Sequence, residues 1–141
     1  MSTPVTVTSG GRLPLVLRSL TFLAVGAARV LARLPPRRIR AVLVVLRAGA
    51  GPADYDRARR ARHAVVTTSV LCAGEGCLQR SLATALVCRA YGVWPTWHVG
   101  VRTEPFMAHA WVEAEGRPVD EPDPPGYYHS ILSVPPRSSD E

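Results

Sequence analysis

The 141-residue chain contains no lysine; all 17 of its basic residues are arginine. It has an odd number of cysteines, Cys72, Cys77 and Cys88, which cannot all pair within one chain. That argues against a secreted disulfide scaffold and for a reducing, cytoplasmic compartment. No run approaches the roughly 20 apolar residues needed to cross a bilayer. The most apolar stretch, residues 20–28, is short and is followed by Arg29 and Arg33. It reads as an amphipathic or core helix rather than a cleaved signal, and whether it touches a membrane stays open. There are no internal repeats. No basic run is interleaved with aromatics and no RNA-binding signature appears, so nucleic acid is not the expected partner. The Cys72-x4-Cys77 spacing is loose and no second ligand pair follows it, so no metal or other cofactor is expected. The length fits one domain, with no room for a separate recognition domain.

The charge is segregated. Residues 1–62 carry 12 Arg against Asp54 and Asp56, and the rest carries five Arg against nine acids. A basic half joined to an acidic half suggests a polar binding surface on the former, with Arg57, Arg59, Arg60 and Arg62 as candidate substrate- or partner-binding residues. Helical spacing predicts helices over 13–34, 38–47 and about 53–71. Leu13, Leu17, Leu20, Ala24, Ala27, Leu31 and Leu34 form the apolar face of the first. Pro35-Pro36 stops it, because proline lacks an amide donor and clashes with the preceding turn. Asp54 and Asp56 suit the positive end of the third helix.

After a flexible Gly74-Glu75-Gly76 loop the texture changes. Residues 77–91 have helical spacing with Gly92 as a stop. Residues 94–102 and 108–114 alternate, Glu115-Gly116 is a hairpin turn signal, 117–120 is the return strand, and 127–134 is one more strand. The chain is therefore divided into a helical extension over 1–52, an α+β core over 53–134 and a polar tail over 135–141.

Cys77 stands out because it opens a helix. There, unpaired amides and the helix dipole stabilise a thiolate, and the same amides can hold a developing oxyanion. A thiolate nucleophile needs a base and a group to orient that base. His109 lies in a strand. A two-residue hairpin loop pairs Ala114 with Arg117, which puts Asp120 diagonal to His109 on the same face. Asp120 is therefore favoured over Asp123 as the orienting carboxylate, and Glu121 points away. Gln79 and Trp94 are candidates for a second oxyanion donor. Trp111 shares the face of His109, as a shield or as plain core. Cys72 and Cys88 read as small buried hydrophobes.

Three stretches carry a family resemblance: Cys77-Leu-Gln-Arg-Ser-Leu, then Ala108-His-Ala-Trp-Val-Glu, then Gly116-Arg-Pro-Val-Asp120. Together they resemble the leader peptidases of lasso-peptide biosynthesis, which are transglutaminase-like cysteine proteases. The resemblance covers about residues 53–134. It implies a papain/transglutaminase-like α+β core, with the cysteine helix packed on a small antiparallel sheet. It also implies Cys77 as nucleophile, His109 as general base and acid, and Asp120 as orienting residue. The substrate would be a ribosomally made precursor peptide. A separate leader-binding protein would hold it, and a lasso cyclase would act next. A transglutaminase-like acyltransferase and a non-catalytic precursor-binding scaffold using the Arg-rich helices are the alternatives.

Overall fold

The computed structural model describes residues 15–69, 76–123 and 126–137. Cys72, the expected end of the third helix and the Gly74-Glu75 portion of the glycine loop lie outside them. Among the described residues, four helices precede most of the strands. α1 (Leu15–Leu31) and α2 (Pro36–Leu46) are followed by β1 (Gly51–Pro52), α3 (Tyr55–Thr68) and α4 (Cys77–Ala90). Then come β2 (Val93–Trp94), β3 (Thr96–Thr103), β4 (Phe106–Ala114), β5 (Arg117–Pro118) and β6 (His129–Val134). β1 and β2 form a short parallel ladder, and the other four strands form an antiparallel sheet in the order β5-β4-β3-β6.

Local chemistry explains the helix boundaries. Pro36 opens α2, where its missing amide costs nothing, so the helix begins two residues earlier than its apolar periodicity indicates. Asp54 caps α3 by accepting the Arg57 amide at 2.7 Å. The hairpin loop has positive φ at both Glu115 and Gly116, the conformation of a two-residue type I′ turn. Its expected register holds, with Ala114 opposite Arg117 and Glu113 opposite Pro118.

α4 lies at the centre, with α1 and α3 against it and β4 packed on it. Trp94 and Trp97 are fully buried beside Leu82, Val87, Val112 and Val119. Each indole nitrogen has a partner: Trp94 donates to the Val134 carbonyl at 3.0 Å and Trp97 to Ser81 Oγ at 3.0 Å. Such pairing is what allows a tryptophan to be fully buried. Ala24, Val25 and Ala28 of α1 and Ile39 and Leu43 of α2 belong to the same core. The helical segment is thus a layer of that core, and the expected boundary at residue 52 does not divide the packing.

The apolar face of α1 is rotated from the expected one. Leu17, Thr21, Ala24, Val25, Ala28 and Leu31 turn inward, Leu20 is half-buried and Ala27 is exposed. The helix is apolar on both sides, so periodicity alone did not select the buried stripe.

Candidate active site

β5 pairs only with Glu113 and Ala114, which leaves the edge of β4 open beside His109 and Ala110. The first turn of α4 enters there. Cys77 is half-buried, hydrogen-bonded to the His109 imidazole and to the Ala110 amide. No described side chain caps α4, so its first-turn amides remain available to a negative charge. His109 Nε2 meets Glu121 Oε1 at 2.5 Å, which leaves Nδ1 for the sulfur. The Glu121 side chain is 6% exposed, and its second oxygen lies 3.6 Å from Arg62 Nη2. The result is a continuous chain: Cys77, His109, Glu121, Arg62.

The electrostatics favour an ion pair at its head. Hydrogen bonding to His109 pulls the Cys77 thiol below its ordinary value, against the opposing effect of burial, with Ala110 and the Arg80 charge assisting. Hydrogen bonds from Cys77 and Glu121 push His109 up to about 9. Each group is shifted chiefly by the other, so the two titrate as one coupled pair in which a thiolate and an imidazolium favour each other. Such a pair can attack a carbonyl and protonate a leaving group. Cys88, by contrast, is pushed up to about 12 by burial. It is the inert hydrophobe that its position on the helix suggested.

The carboxylate assignment needs correction. Asp120 has φ +50° and turns away from the sheet. Its carboxylate accepts from Arg59 Nε at 3.1 and 3.2 Å, and its amide donates to the Tyr55 hydroxyl at 3.3 Å. Strict alternation ends after Val119, whose amide still bonds Val112. One left-handed residue then reverses the sidedness of everything that follows. Glu121 therefore swings under His109, and Asp120 faces α3. Asp is among the residues that tolerate this conformation, which is the one sequence signal that was available.

Other expectations also change. Trp94 Nε1 is committed to Val134 inside the core, so it is no oxyanion donor. Gln79 sits in the first turn of α4 with its Oε1 buried and unpaired among the described residues. The four arginines do not form one free basic patch. Arg59 binds Asp120, Arg62 binds Glu121, Arg57 lies 3.7 Å from Asp54 in its own first turn, and Arg60 is exposed. Arg62 is engaged with Glu121, at the end of the chain of contacts that begins at Cys77, rather than forming part of an open basic patch. Burial draws its pKa down while Glu121 opposes this. Removing its charge leaves Glu121 buried with only His109 for a partner. Arg62→Met is expected to move the alkaline limb of any pH–rate profile, whereas Arg57→Met leaves it in place; measuring both profiles checks this.

Trp111 is buried but lies outside the main core cluster, among the aromatic rings of the site. It is 7% exposed and stacks between His98, with centroids 5.1 Å apart, and His109, at 5.8 Å. Tyr128 leans on His109 from 5.0 Å. Trp111 Nε1 donates to Glu113 at 3.0 Å, and Glu113 lies 3.4 Å from His98 Nε2. His109 is thereby held in one plane by aromatic neighbours. Among the described residues no group of three or more His, Cys, Asp or Glu is placed to hold a metal ion.

Residues 21–133 match the transglutaminase-like superfamily. The chain belongs to that superfamily. The match spans the cysteine helix, the histidine strand and both N-terminal helices after Thr21, in keeping with their shared core. No curated protein and no solved structure matches the chain. The transglutaminase-like superfamily includes cysteine proteases and acyltransferases, and its mixed helix-and-sheet architecture is the α+β class expected.

Proposed function

We propose that this transglutaminase-like chain is a cysteine endopeptidase that removes the leader from a ribosomally made precursor of the lasso-peptide type. Cys77 is the nucleophile, His109 the general base and acid, and Glu121, in place of Asp120, the carboxylate that orients the imidazole. The observation that carries this reading is the hydrogen-bonded order Cys77–His109–Glu121 at the open edge of β4. The leader-peptidase part rests on the motifs around Cys77 and His109. A separate leader-binding protein and a cyclase are the partners that this reading calls for.

The steps follow from the geometry. The Cys77 thiolate attacks the scissile carbonyl, forming a carbon–sulfur bond, and the Cys77 amide receives the developing oxyanion. Gln79 is the candidate for the second donor. The imidazolium of His109 gives its proton to the leaving amine as the carbon–nitrogen bond breaks. A water then loses a proton to His109, attacks the thioester and frees the leader acid as the sulfur departs. Glu121 keeps Nε2 protonated and the ring in register throughout.

This ion pair gives a bell-shaped pH dependence. His109 is raised, so the imidazolium is fully present below the ordinary histidine value of 6.5 and is lost as pH rises through about 9. The alkaline limb of kcat/KM is expected near that upper value. Cys77 is lowered, so the acid limb lies below the ordinary thiol range. The imidazolium's contribution to folding follows the same alkaline course. A rate profile measured across neutral to alkaline pH checks the limb.

Mass spectrometry of the cognate precursor, incubated with the protein and its leader-binding partner, tests the function. A single cut at the leader–core junction is expected, absent with Cys77→Ala. Equal cutting by both proteins would remove Cys77 as nucleophile. Transfer of the acyl group to an added amine, with no free acid, would make the protein an acyltransferase. Absence of cutting with both components folded would favour the non-catalytic scaffold.

A further inference from the structure

The outward face of α1 stays apolar although nothing described packs on it. Leu15, Val16, Phe22, Leu23 and Val30 are between 57 and 77% exposed. At 100° per residue they form, with Ala27 and half-buried Leu20, a band about 160° wide, interrupted only by Ser19 and Gly26. A helix that is apolar on all sides is normally covered on all sides, and large exposed apolar patches mark interaction surfaces.

The charges around the band restrict what covers it. The chain has no acidic residue before Asp54. Arg18 and Arg29 line one edge of the band, and Arg33, Arg37, Arg38 and Arg40 follow it, all exposed. A second copy of the chain would set arginine against arginine. A single partner helix covers a seam narrower than this band. A flat, anionic, apolar surface satisfies both the breadth and the charge.

We propose that α1 lies in the interface of an anionic lipid membrane, with Phe22, Leu23 and Val30 among the acyl chains and the arginines at the headgroups. Arginine stems suit this role, because they run along apolar surface while the guanidinium stays in the polar layer. No helix among the described residues is long and apolar enough to cross a membrane, so the contact is peripheral.

The test is co-sedimentation of the full chain with phosphatidylcholine vesicles and with vesicles of equal parts phosphatidylcholine and phosphatidylglycerol. Binding is expected to the anionic vesicles alone and to weaken with added salt. Leu23→Ser combined with Val30→Ser changes two exposed side chains. It is expected to weaken binding by at least about tenfold, with the circular dichroism and melting temperature of the parent. Arg37, Arg38 and Arg40, all changed to Gln, are expected to weaken anionic binding as well. Cys77→Ala should bind like the parent, which separates this surface from the catalytic reading. Failure to bind either vesicle, or equal binding by the Leu23/Val30 variant, would overturn the proposal. So would a dimer in sedimentation velocity that this variant dissociates, because a second copy would then cover the face.

Discussion

Glu121→Gln is expected to lower kcat/KM for precursor cleavage by about 10²–10⁴-fold, the scale seen when the carboxylate that orients a catalytic histidine is neutralised. The physical reason is local. Glu121 is almost wholly buried, holds His109 Nε2 at 2.5 Å, and is the second-largest cause of that histidine's raised pKa. An amide in its place supports the wrong tautomer and withdraws a charge from the imidazolium. The alkaline limb should therefore move to lower pH as the rate falls. Asp120→Asn is the matched control. Its carboxylate lies on exposed Arg59, and exposed pairs contribute only about 0–1 kcal/mol. A rate within a few-fold of the parent is expected. Steady-state kinetics of the two variants, each across the pH range, decide the matter. A large loss in Asp120→Asn with Glu121→Gln unaffected would return the role to Asp120.

Gly100→Ala is expected to destabilise the fold by about 1–3 kcal/mol, lowering Tm by roughly 3–15 °C. A methyl group at this position would lie 2.8 Å from the His129 carbonyl oxygen and 2.8–2.9 Å from the Trp111 ring. Neither neighbour can yield easily. The carbonyl belongs to the backbone of β6, next to the irregularity in its pairing with β3 at Val99 and Gly100. The indole is clamped between two imidazoles. Displacing it tilts His109, so cleavage should fall further than the stability loss alone explains. Gly26→Ala is the contrast, since nothing lies within 4 Å of its added methyl inside α1. It is expected to raise Tm slightly, because alanine is the better helix former by about 1 kcal/mol. Thermal unfolding followed by circular dichroism compares the pair. An unchanged Tm for Gly100→Ala would show that β6 or Trp111 moves freely.

Asp120 and Glu121 also separate what local pattern determined from what it did not. The helices, the aspartate start of α3, and the hairpin register around Glu115-Gly116 were legible because each depends on near neighbours in the chain, whereas the start of α2 at Pro36 was missed because that proline read only as a stop. Cys77 at a helix start and His109 on a strand were legible for the same reason. The place of Asp120 was not. Parity arguments assume that alternation continues, and here it ended one residue early. Tyr55 and Arg59 on α3 hold the kinked Asp120, and Arg62 on that helix faces the buried Glu121. Their partners are more than 50 residues away in sequence, so no local window contains the competition. The buried face of α1 was undetermined for a related reason. Both of its sides are apolar, and only packing against α3 and α4 chose between them. Local order was enough to indicate the four helices, the long antiparallel strands, Cys77 and His109 as a candidate pair, and the superfamily; it did not indicate β1, which was read as a break and pairs with β2 only in the folded chain. The tertiary structure decided which carboxylate completes that pair and which apolar face is left outside, because both depend on contacts between elements rather than on the order of residues within one.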